Sequence, residues 1–160
     1  MGQHLLLCLL GFASFAAGEN PLLLWPKPQS ASVGAGAAGS FDKFVFNTPP
    51  NCSVLAAAAK RYRALVGSRD VPGATEYAVE VQVEDPAAPL SPGAMDEQYT
   101  IAGTKADTCT IKAKTVWGAL RGMETLSQIV TELSSTSLGP KVAVPAPPIQ
   151  VSDAPRFRWR

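Results

Sequence analysis

Few residues in this 160-residue sequence have the types and spacing that chemistry needs. Asp96-Glu97 is an adjacent carboxylate pair, the material of general acid–base work. It falls in a polar turn just ahead of a strand, where the expectation is a solvated loop edge. Arg156, Arg158 and Arg160 alternate, so an extended segment puts three guanidiniums on one face. Each is a rigid fork of donors that stays charged at any relevant pH; the plainer alternative is a frayed basic tail. Asn51-Cys52-Ser53 fits the N-glycosylation pattern, and Asn51 could equally cap a helix that starts there. Cys52 and Cys109 could form a bridge worth roughly 4 kcal/mol through the long loop it closes. Alternatively Cys109, on one strand face with Ile111 and Ala113, is a buried thiol behaving as a small hydrophobe. The sequence offers no metal-binding His-Glu-x-x-His, phosphate loop or nucleophile elbow, so neither metal nor cofactor is expected.

The elements that must hold these residues are legible from periodicity. In Thr115–Leu133, Val116, Leu120, Met123, Leu126, Val130 and Leu133 recur at helical steps and form one apolar stripe, with Thr115 as N-cap. Gly118 and Gly122 lie one turn apart in that helix and cost roughly 1 kcal/mol each against alanine, which predicts a close backbone approach to a sheet. Cys52–Val66 is a second helix with Leu55, Ala58, Ala59, Tyr62 and Leu65 inward; Lys60, Arg61 and Arg63 form its solvated face, and Gly67 stops it. Glu76–Glu84 alternates, with Tyr77, Val79, Val81 and Val83 on the buried side. Further strands are expected at Phe41–Phe46, Gln98–Ala102 and Thr108–Ala113, and a short hairpin at Lys141–Val144 and Ile149–Ser152. Ser30–Ser40, rich in Ala, Gly and Ser, reads as a loop, and Trp25 as the anchor of the proline-held segment before it. The sum is an α+β fold: a small antiparallel sheet, its three later strands a meander, covered by two helices.

Composition narrows the classes. A chain this long, 46% hydrophobic, buries one core. A net charge of +1 without a clustered basic face argues against nucleic acid, and no apolar run is long enough to span a membrane. Residues 1–18 combine Leu5–Leu10 with the small residues Ala13, Ser14, Ala16, Ala17 and Gly18, the form of a signal peptide despite an n-region without Lys or Arg. Its removal takes away His4, the single histidine, and leaves 19–152 as the domain in an oxidising compartment.

The stretch Val116–Val130, VWGALRGMETLSQIV, closely resembles the signature helix of the N-terminal, non-catalytic domain of animal β-N-acetylhexosaminidases, glycoside hydrolase family 20. Leu24-Trp25-Pro26-Lys27-Pro28-Gln29 resembles that domain's opening, and Asp153–Arg160 its exit into the catalytic barrel; Cys52–Leu55 with Arg61-Tyr62-Arg63 resembles its first helix. The resemblance implies that 153–160 begins a (β/α)8 barrel of about 250 residues that is missing here. It implies a full-length enzyme that releases terminal N-acetylglucosamine or N-acetylgalactosamine from glycoconjugates by substrate-assisted retaining catalysis, in the lysosome or secreted, and pairing with a second subunit. The family's catalytic Asp-Glu pair sits far downstream, so its roles do not pass to Asp96-Glu97, and this chain alone is expected to be inactive. Arg160 matches the arginine that binds the terminal sugar's hydroxyls. In the family the cysteine opening the first helix pairs with one after the alternating strand, and Asp85–Gln98 contains none. The rivals are a free-standing secreted interaction module and, lacking its metal motif, a peptidase on a similar scaffold.

Overall fold

A computed structural model describes residues 22, 24–89, 95–136 and 139–154, with the side chains of 131–140 excepted. The fold is α+β. Its elements are β1 (Ser30–Ser32), β2 (Gly39–Phe41), β3 (Lys43–Asn47), α1 (Ser53–Leu65), β4 (Glu76–Asp85), β5 (Tyr99–Lys105), β6 (Thr108–Thr115), α2 (Val116–Ile129), β7 (Thr131–Thr136), β8 (Gly139–Val144) and β9 (Ile149–Asp153). One six-stranded sheet runs β1-β9-β5-β6-β4-β3, and a three-stranded sheet runs β2-β8-β7.

The helices form as their sequences dictate. The Thr115 hydroxyl accepts the Gly118 N–H at the start of α2, satisfying one of the donors a helix start leaves unpaired. Gly67, at φ 72°, follows α1 in the left-handed conformation that glycine adopts without strain. The inner sheet face is apolar: Phe44, Tyr77, Val79, Val81, Ile101, Cys109, Ile111 and Val151 are buried, most of them against Leu55, Tyr62, Met123 and Leu126 of the helix layer. The outer face carries Glu80, Gln82, Thr110, Lys112 and Gln150, none of them buried.

The expected close approach is real. A Cβ on Gly118 would lie 2.3 Å from the Gln98 carbonyl oxygen and 3.1 Å from the Ala113 Cβ. One on Gly122 would lie 2.6 Å from Ile111 Cγ2. The glycines let α2 settle directly onto β5 and β6.

The strand arrangement corrects the antiparallel expectation. β3 and β4 are parallel and β4 and β6 are parallel, whereas β5–β6, β5–β9 and β1–β9 are antiparallel, so the sheet is mixed. β3-α1-β4 is a crossover unit, in which a helix carries the chain back to start a parallel neighbour. The segment between β4 and β5 passes over the position of β6. Crossing two strand spacings, about 10 Å, needs far more chain than a hairpin turn of two to five residues, and that long proline-marked loop was the signal against a meander. The expected hairpin is also absent, since β8 pairs with β2 and β7 while β9 pairs with β1 and β5. Pro145, Pro147 and Pro148 lack the N–H groups that a ladder would need there. β1 and β2 replace part of the expected loop at 30–40.

Three local expectations fail, the first being Leu65, expected on the inner face of α1 and 65% exposed. Helix α2 stops at Ile129, short of Leu133, and Val130 is already extended at ψ 128°. The run Ile129-Val130-Thr131 is β-branched, and the chain leaves the helix to pair in the second sheet. Trp25 is not the anchor of its segment: Leu24 is buried, whereas Trp25 is 83% exposed.

Gly118→Ala tests the close approach. Helix propensity alone would gain about 1 kcal/mol, but the methyl collides with a backbone carbonyl. The expected outcome is a net loss of about 1–3 kcal/mol in urea unfolding, and a neutral or stabilised variant would contradict the packing.

Candidate functional site

The described residues that could do chemistry are held apart and already occupied. Glu97, expected at a solvated loop edge, has a side chain only 11% exposed and accepts from Arg121 Nε at 3.1 Å and Nη2 at 2.9 Å. Asp96 accepts the Gln98 N–H at 2.9 Å, and its carbonyl accepts from the Thr115 hydroxyl. The pair therefore fastens the approach to β5 onto the start of α2.

Cys52 and Cys109 are both free and buried. Cys52 is the N-cap of α1, with its Sγ 3.9 Å from the Pro86 carbonyl, while Cys109 lies on β6 beside Tyr77. They occupy different neighbourhoods, so the bridge left open by the sequence is not formed. Burial pushes the Cys109 thiol up to about 11, which keeps it protonated and a poor nucleophile. Burial likewise pushes up the Tyr77 phenol, whose hydroxyl has no hydrogen bond of good geometry.

Asn51 is exposed in the turn before α1, where the Cys52 N–H reaches back to the Pro49 carbonyl at 3.3 Å. The N-cap position belongs to Cys52 and carries no side-chain cap bond, so Asn51 is not committed to the helix. Arg156, Arg158, Arg160 and the expected signal peptide lie outside the described residues.

An open depression of about 500 Å³ is lined by Lys43, Asp70, Val71, Pro72, Gly73, Ala74 and Glu76. Its charges are internally matched: Lys43 Nζ lies 2.9 Å from Glu76 and 3.4 Å from Asp70, which also meets Arg63 at 2.9 Å. Glu76 and then Asp70 raise the Lys43 pKa; Arg63 and then Lys43 lower that of Asp70. A cation with two carboxylates already beside it offers little to an anionic ligand. Among the described residues no group of three or more His, Cys, Asp or Glu could hold a metal ion, and no helix is long and apolar enough to cross a membrane.

Sequence reasoning passed over a polar cluster centred on Asp42, which is buried between β2 and β3. Its Oδ2 accepts from the Thr75 N–H at 3.1 Å, the Thr75 hydroxyl at 2.9 Å and Lys141 Nζ at 3.3 Å. Lys141 belongs to β8, so the carboxylate ties the two sheets together. A single Asp between two aromatic strand residues gave the only hint. The hydrogen bond from the Thr75 amide, then the Thr75 hydroxyl and Lys141, lower its pKa. Asp42 thus serves as a fastener between the two sheets.

Comparison with known proteins supplies the context. A family model described as beta-acetyl hexosaminidase like matches residues 24–129. A beta-hexosaminidase of Emericella nidulans is 37% identical over 121 residues, covering 75% of this chain and 17% of that protein. Beta-hexosaminidase subunit beta of Felis catus is 30% identical over 189 aligned positions, covering all of this chain and 32% of that protein. Among solved structures, a chitobiase of Flavobacterium johnsoniae superposes with a TM-score of 0.56 at 26% identity, over 86% of this chain and 21% of that one. The chain thus spans about a third or less of the length of these relatives.

The Asp42 cluster predicts a particular acid response. Because its folded pKa is lowered, the carboxylate stabilises the fold above its unfolded value near 3.8 and loses that contribution as pH falls through the folded pKa. Asp42→Asn should lower the urea midpoint at neutral pH, and its gap from wild type should close in titrations below the ordinary carboxylate range. A pH-independent gap would show that the charge is not what matters.

Proposed function

The chain belongs to the beta-acetyl hexosaminidase-like family, the N-terminal domain of family 20 glycoside hydrolases, and on that premise we propose that it is the supporting domain of a longer β-N-acetylhexosaminidase. The observation that carries this reading is the pairing of a match over 24–129 with relatives that extend several-fold further. The whole enzyme removes terminal N-acetylglucosamine or N-acetylgalactosamine from glycoconjugates, with the substrate's own acetamido group as nucleophile. Its Asp-Glu pair lies in the barrel, outside this sequence, and the 160-residue chain alone is inactive. The engagement of Glu97, 11% exposed and held by Arg121, supports that division, because its carboxylate is already occupied.

The site residue assigned to this chain is Arg160, whose guanidinium donates to hydroxyls of the terminal sugar once a barrel surrounds it. The working location is the secretory pathway, ending in the lysosome, with a second hexosaminidase subunit as partner. A carboxylate such as Asp42 with a lowered pKa suits an acidic lumen. In that pathway Asn51 carries an N-linked glycan, for which its exposure and its freedom from capping leave room.

Two measurements test this. The longer protein, purified from its source, should hydrolyse an aryl N-acetylglucosaminide. Arg160→Ala should cut kcat/KM by about 10- to 100-fold per charged hydrogen bond lost, each worth about 1.5–3 kcal/mol; unchanged kinetics would remove Arg160 from the site. For Asn51, material from a glycosylating host should lose mass on treatment with an amidase that strips N-glycans, and Asn51→Gln should abolish that loss. An identical mass before and after treatment would rule the glycan out.

A further inference from the structure

Trp25 combines two properties that rarely coincide. Its side chain is open to solvent, yet its backbone is fixed at both polar atoms: the Trp25 N–H donates to Gln128 Oε1 and the Gln128 amide donates to the Trp25 carbonyl, each at 2.7 Å. Gln128 is itself within 3.5 Å of Glu124, which accepts from the Tyr62 hydroxyl at 2.8 Å, so the clamp is continuous with both helices. Buried Leu24 precedes it. A tryptophan already held in this way loses little further freedom when its ring is covered, the condition under which an aromatic anchor contributes most to an interface.

Its place in the fold indicates what covers it. The Gln29 side chain donates to the carbonyl of Ala154 at 2.8 Å, and β1, which follows directly, pairs with β9 on the same sheet edge. Ala154, the last described residue, therefore lies beside Gln29, four residues from Trp25, or about 13 Å of extended backbone. The other exposed large hydrophobics among the described residues, Val54 and Leu65, are three helical turns apart on one face of α1. All three lie with the helix layer. The far face of the sheet, with Glu80, Gln82, Thr110 and Lys112, is suited to water. The relatives are longer than this chain by at least twice its length.

We propose that the Trp25 ring is the docking anchor of this domain for the catalytic domain that follows it. The inference rests on the reading of the chain as an N-terminal supporting domain. It assigns a position-specific interdomain role to a residue whose ring does nothing inside its own domain.

The test compares the 160-residue chain with the longer protein by hydroxyl-radical footprinting and thermal unfolding. In the longer protein Trp25 should oxidise roughly tenfold more slowly, in keeping with the area lost when an exposed ring is covered. Trp25→Ala leaves the backbone clamp intact and removes only the ring. It should lower the melting temperature of the longer protein by several degrees and leave the 160-residue chain unchanged. Equal oxidation in both proteins would overturn the proposal, as would protection that grows with the concentration of the 160-residue chain, which would identify a second copy as the occupant. Activity on an aryl N-acetylglucosaminide separates the two ideas: an active longer protein with an exposed Trp25 refutes the anchor alone. A source protein with no further domain refutes both.

Discussion

The contact on which the fold depends is the bare backbone surface that Gly118 and Gly122 give to α2. It brings the helix close enough for Gly118 to lie under the Gln98 carbonyl and Gly122 against Ile111 and Tyr99. At that distance Met123, Leu126 and Ile129 sink fully into the sheet's inner face. The Tyr99 hydroxyl comes within 2.5 Å of the Thr125 hydroxyl, giving two buried polar atoms a common bond. An ordinary pair of side chains at 118 and 122 would lift the helix and open voids on both sides. The glycines thus exchange helix propensity for interior packing density, a trade worth making only where a sheet lies directly beneath.

Around that packed layer, polar groups are used as fasteners. Asp42 joins the sheets, Arg121 holds Glu97, Gln128 holds the N-terminal segment, and Glu124 links α2 to Tyr62. Burial raises the Tyr62 pKa and its donation to Glu124 raises it further, so the phenol stays a donor. Catalytic residues require the opposite economy, with groups left partly unsatisfied and aimed into a shared space. These described polar side chains are engaged in holding the domain's own shape.

Much of this was legible because it is periodic. The stripe of α2 from Val116 to Leu126, the alternation of β4 and the caps at Thr115 and Gly67 each follow from local rules, and these are in place. Strand partnership was harder to read, because β4's valines are equally content beside a parallel or an antiparallel neighbour. Only the length of the 86–98 loop and the helix between β3 and β4 distinguished the two. β1 and β2 are built from Ser, Ala and Gly with a single Phe, so they carry no pattern and exist because β9 and β8 offer them an edge. For the candidate site, the exposure of Trp25 and the engagement of Glu97 depend on partners 103 and 24 residues away, a distance across which single-residue tendencies say nothing.

The sheet order also has a consequence in time. β9 sits between β1 and β5, so β1 has no strand to join until Asp153 has been made. β3, α1, β4, β5, β6 and α2 can assemble earlier from contacts close in sequence, whereas the β1–β9 ladder joins residues near opposite ends of the domain. Contacts of such long separation form slowly relative to local ones. During synthesis the edge next to the N-terminal segment is therefore the last part to close, at the moment when whatever follows Ala154 begins to emerge. The edge beside the N-terminal segment is thus completed by β9, the last strand among the described residues.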